Sequence, residues 1–179
     1  MWILKLKLYD KDCVYATKIK KCGLQAYEQK LTDYKKDNSY FFMTVHILVG
    51  DAKAKKQYLT EMKKDPRVRK VDVNGDCVVE LVERKISSKD IDVYRAGHNP
   101  EIILTKPGFV DSDGWEYYEF ASWNRFALTT LIQVFKKHYK FELLKLMQTE
   151  KYELYVPRLI PKLSDKQKQA ISVAGNEEY

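Results

Sequence analysis

Cys13 and Cys22 are the first residues along the chain with a chemistry to offer, as metal-binding thiolates or as a redox couple. In a continuous helix turning about 100° per residue, positions 13 and 22 face opposite sides and cannot share an ion. No Cys-x-x-Cys pair occurs, so small buried side chains are the expectation. Cys13 alone, close to a strand end, keeps the option of a reactive thiol in a sensor. His46, His98 and His138 fall on a strand, between elements and at a helix end, with no zinc-type spacing and no Ser or Cys nucleophile motif beside them. His138 is placed to meet a helix dipole. His46 stands among apolar residues, as a satisfied core histidine or as a ligand contact. Asp111, Asp113 and Glu116 lack the distal bidentate acid of a calcium loop and read as a polar hairpin turn. Seven scattered glycines make no phosphate cradle. With no acid–base pair in view, the expectation is a protein that is not an enzyme and needs no cofactor or metal.

A second kind of chemistry is aromatic stacking. Trp115, Tyr117 and Trp123 fall on one face of a strand, Tyr118 and Phe120 on the other. Such a strand packs a core or an interface, stacks on a planar effector, or stacks on RNA bases. The RNA reading wants a glycine that Tyr40-Phe41-Phe42-Met43 lacks, and Trp115–Trp123 is acidic. The candidate ligand-binding residues are therefore Cys13, His46, Trp115 and Tyr117.

Elements must position these groups. Trp2, Leu4, Leu6 and Leu8 alternate as a half-buried strand. Residues 11–22 carry helical spacing closed by Gly23, and 24–34 is a weakly alternating polar strand with a turn at 35–39. Tyr40–Val49 is the strongest strand, apolar on both faces. Asp51 caps a helix that Pro66 ends, and Asn74-Gly75 joins a hairpin of 68–73 and 77–82. This order predicts an α+β fold, with a ferredoxin-like (ACT-like) unit over 1–85 bearing one extra hairpin strand. Residues 86–155 predict a second, degenerate unit: a junction over 85–100, a strand over 101–106, turns at 107–108 and 111–114, a strand over 115–122, a helix from 124 and a strand over 141–147. Residues 156–179 read as a linker and a capped helix, Ser164 and Gln167 forming the capping box.

The 179 residues are 45% hydrophobic and 32% charged, a globular composition, with no apolar run near the roughly 20 residues of a membrane span. The net charge of +7 comes from lysines interleaved with acids, a solvated surface more than a phosphate-binding patch. Three cysteines make no disulfide framework, and the start is no signal peptide. The expectation is a cytoplasmic protein.

Leu163-Ser164-Asp165-Lys166-Gln167-Lys168-Gln169-Ala170-Ile171-Ser172-Val173-Ala174 resembles the opening helix of the bacterio-opsin-activator-type helix-turn-helix of archaeal regulators. Tyr179 falls at that family's turn tyrosine, with Glu178 in place of the preceding glycine. Tyr155–Lys162 and Trp115–Trp123 are similar to the lead-in and sensor portions. The resemblance implies the sensing and dimerising region of a transcription regulator, with DNA read by a helix beyond Tyr179 and no DNA-binding residue within this chain. A possible small-molecule effector and a homodimer go with it. The interface would include Tyr40–Val49 or Trp115–Trp123, burying Phe42, Leu48, Trp115 or Tyr118. A free-standing ACT-like effector-binding module and an RNA-binding protein remain the alternatives.

Overall fold

The computed structural model describes residues 1–151. The expected linker and capped helix of 156–179 lie outside the described residues.

The stop signals act where they stand. Gly23 closes α1 (Val14–Cys22) at φ 63°, in the left-handed region glycine adopts most readily. The Asp51 carboxylate accepts the Ala54 amide at 2.8 Å and caps α2 (Ala52–Lys64). Gly75, at φ 60°, turns β4 (Val68–Asn74) into β5 (Cys77–Lys85). Asp37, at φ 52°, turns β2 (Gln25–Lys36) into β3 (Ser39–Val49). The stretch expected as a junction is instead a helix, α3 (Ser88–Gly97). Ser87 and Asp90 cap it reciprocally, but its apolar positions are few and its surface is mostly charged, so no apolar stripe announces it. After it come a two-residue β6 (Ile103–Leu104), β7 (Gly108–Val110), β8 (Glu116–Ser122), α4 (Arg125–His138) and β9 (Lys140–Gln148). The expected turn at Pro107-Gly108 is thus the start of a strand.

All strands among the described residues join one antiparallel sheet in the order β4-β5-β3-β2-β7-β8-β1-β9, with β6 also on β8. The sheet runs unbroken across the expected boundary at residue 85. Along the chain, strand-helix-strand-strand-helix-strand occurs twice, over β1–β4 and, with β6 interposed, over β5–β9. In space the first strand of each series sits in the other's half: β1 lies between β8 and β9, and β5 between β3 and β4. The strand that looked extra in the first unit therefore opens the second series. Alternation fixes which face a strand buries but not which neighbours it takes, and β1 goes where Leu4, Leu6 and Leu8 meet Leu128, Leu131 and Phe135 of α4.

The four helices of the described residues all lie on one face. α1 packs on α2 over β2, β3 and β5, burying Ile19, Leu24, Leu48, Tyr58 and Met62. α3 packs on α4 over β1 and β8. Phe42, Leu48 and Tyr118, expected at an interface between chains, face the helices. The opposite face exposes Tyr27, Ile47 and Val49. Among the described residues no helix is long and apolar enough to cross a membrane.

Candidate functional site

The two helix pairs leave a trough between them, and below it the sheet parts. β2 pairs with β7 only over Ala26–Glu28, while beyond Gly108 the edge of β8 passes to β6. A cavity of about 350 Å³ occupies this opening. It lies at the junction of the two halves: Tyr15 comes from α1, Glu28 and Lys30 from β2, Phe42 from β3, Val93 from α3, Tyr118 and Phe120 from β8, and Phe135 from α4. This is the size of an ordinary small-molecule site.

Its floor is polar and buried. Sheet register sets Glu28 opposite His46, and His46 opposite Val78, two residues from Glu80 on the same face. The imidazole has Glu80 Oε2 at 3.1 Å from Nδ1 and Glu28 Oε2 at 3.4 Å from Nε2, charge contacts more than well-directed hydrogen bonds. Tyr58 donates to Glu80 Oε1 at 2.7 Å, and the Tyr15 ring lies 4.6 Å from the imidazole. Tyr118 bridges the other side, its hydroxyl meeting both Glu28 Oε1 and Glu116 Oε2. Gly108 makes this possible, because a Cβ there would stand 2.8 Å from the Tyr118 ring and 3.0 Å from Glu28.

Protonation follows from this geometry. One hydroxyl proton cannot serve two carboxylates, so Tyr118 donates to one and the other carries its own proton. Burial first, and the nearby Glu28 charge second, push the Glu116 carboxyl well above the usual range, which makes Glu116 the protonated partner. Burial would lower the pKa of His46, but Glu80 and Glu28 more than offset it and hold the imidazole at about 9, protonated at neutral pH. Glu116, Tyr118 and Glu28 at the floor thus continue beneath the cavity into His46, Glu80 and Tyr58, a chain of acid, hydroxyl, carboxylate, imidazolium, carboxylate and hydroxyl. Above it, Asp10 meets Arg84 at 3.3 Å and Lys89 at 2.9 Å, and Arg84 meets Asp90 at 2.6 Å, tying the end of β1 to β5 and α3.

The candidate residues separate in space. Cys13 lines the cavity, but burial and then Glu116 push its thiol well up, against the thiolate a reactive sensor needs. His46 lies fully buried beneath it, its sheet neighbours Glu28 and Glu80 rather than the apolar residues flanking it in sequence. Trp115 and Tyr117 lie outside the cavity lining. Trp115 packs on Tyr9 between Lys7 and Lys140, and Tyr117 packs on Phe109 and donates to Asp111. Glu28, Glu80 and Tyr15 were not singled out; Tyr118 was read only as a packing or interface residue, and Glu116, read as part of a polar hairpin turn, is instead a buried residue of β8. An acid on an alternating strand is the one available signal, and solvent-facing acids give the same one. Cys13, Cys22 and Cys77 are free thiols, and among the described residues no His, Cys, Asp or Glu cluster is arranged to hold a metal ion. In comparisons with known proteins, no family model and no curated protein matches the chain.

Proposed function

We propose that this chain is the effector-sensing region of a transcription regulator, built from two ferredoxin-like repeats that have exchanged their first strands. The observation that carries the reading is the cavity at the junction of the halves, walled by elements of both and floored by buried ionisable groups. A ligand there touches α1, α3 and α4 together, and so biases how the two halves sit. The resemblance of Leu163–Ala174 to a helix-turn-helix opening supplies the output. A homodimer that re-spaces two DNA-reading helices is the mechanism, and the open sheet face with Tyr27, Ile47 and Val49 is the surface we assign to the second copy. A free-standing effector module would use the same cavity.

A thermal-shift screen with a broad small-molecule panel tests the cavity. Ligands should raise the melting temperature of the wild type by several degrees and leave Val93→Trp, which fills the cavity, unmoved. An equal response from both, or none from either, overturns the effector reading. Sedimentation at micromolar concentration should give twice 21.1 kDa, and a monomer removes the dimer. Residues 1–179 should bind duplex DNA weakly and without sequence preference. Tight, specific binding would mean the DNA-reading surface lies within this chain.

A further inference from the structure

The charges around the cavity are matched except on its floor. Lys30 lies 2.7 Å from Asp33 and Arg67 2.9 Å from Asp65, while Arg84 serves Asp10 and Asp90. Each of these cations already has a carboxylate partner. Glu116 differs. It is 3% exposed, its Oε2 meets Tyr118, and its Oε1, on a side chain lining the cavity, has no hydrogen-bond partner among the described residues. Behind it, two carboxylates face a single imidazolium, Glu28 and Glu80 against His46, which leaves surplus negative charge. The walls are apolar and aromatic, with Phe42, Phe120, Phe135, Tyr139, Val82 and Val93. Such walls bury a hydrocarbon body and present ring faces to a cation.

We infer that the cavity binds a protonated amine carrying an apolar or aromatic body, with the ammonium donating to Glu116 Oε1; the inference rests on reading the cavity as an effector site. An anion would meet the surplus negative charge unaided, and a neutral body would leave that charge unbalanced. As the ammonium arrives, Glu116 gives up its proton to solvent while Tyr118 keeps its own proton toward Glu28; the ammonium then supplies the donor that the second carboxylate requires, so one positive charge replaces another. Tyr15, Tyr118, Tyr139, Glu28, Asp10, Cys13 and His46 are titratable groups around the carboxyl, and with two acids among them against one imidazolium their arrangement favours a cation there.

Calorimetric titration with three molecules sharing one body tests this: 4-phenylbutylamine, 4-phenylbutan-1-ol and 4-phenylbutanoate. The amine should bind at least about tenfold tighter than the alcohol, with the butanoate weakest. Glu116→Gln, of nearly the same shape, should bring the amine down to the level of the alcohol. An amine no tighter than the alcohol, or a butanoate tighter than both, overturns the cation and leaves an effector cavity standing. No binding of any of the three at millimolar concentration overturns cavity and cation together. The ranking in the wild-type chain decides on its own if Glu116→Gln does not fold.

Discussion

His46 is fully buried and stays charged because two carboxylates flank it. The unfolded chain releases that proton near pH 6.5, and the folded chain holds it to about 9. Its contribution is therefore whole below pH 6.5 and is lost as pH rises through 9, a swing of roughly 3 kcal/mol at most. Glu116 acts in the same direction, since it keeps in the folded state a proton that the unfolded chain loses near 4.5. Asp65, whose carboxyl Arg67 and Lys18 hold far below its ordinary 3.8, acts oppositely and costs stability only in acid. Stability should thus peak around pH 5 and decline towards pH 9. His46→Gln should cost about 3–5 kcal/mol by stranding Glu28 and Glu80 without a counter-charge, and should flatten the decline between pH 6.5 and 9. Chemical denaturation across pH measures both, and an unaltered slope in that window refutes the assignment. None of this was legible around position 46, where the flanking residues are apolar. The partners arrive on β2 and β5, and only register brings them in.

At the scale of elements, the weak alternation of β2 has a physical cause. A bulge at Leu31 shifts the register, so Lys30 opposes Thr44 while Thr32 opposes Met43. Beyond it the faces change over, and Asp33 turns to the helix side instead of outward. There it meets His98 Nε2 at 3.0 Å, while the His98 ring stacks on Tyr94 and Tyr94 on Tyr40. These contacts hold α3, which has little apolar stripe of its own, over the cavity. Asp33→Ala should loosen it: amide hydrogen exchange in Val93–Gly97 should quicken about tenfold, with α2 unaffected. Equal exchange in both helices would show that Asp33 does not anchor α3. Gly108→Ala should cost about 1–3 kcal/mol, because its Cβ would drive Tyr118 from Glu28. The helices with strong stripes, the caps and the Asn-Gly hairpin were readable from local chemistry. α3, β7 and the bulge were not, because, apart from the Ser87–Asp90 capping box of α3, what stabilises them comes from other elements.

At the scale of the molecule, the exchanged first strands decide how the halves stand or fall. Each half of the sheet is completed by a strand from the other series, β1 between β8 and β9 and β5 between β3 and β4. A boundary drawn at residue 85 treats the halves as neighbours, but pulling them apart would strip each of an inner strand. The exchange is also specific. Only β5 brings Glu80 to His46, whereas β1 offers Leu4, Leu6 and Leu8 and would leave the imidazolium facing hydrocarbon on that side. The chain should therefore unfold in one cooperative transition, although its hydrophobic cores are two separate clusters. Leu131→Ala in one cluster and Met62→Ala in the other, both fully buried positions, should each cost about 2–5 kcal/mol. Each should move the same single calorimetric peak to lower temperature. Two resolved peaks, with Leu131→Ala shifting one and Met62→Ala the other, would mean the halves fold independently and the exchanged strands do not bind them into one cooperative unit.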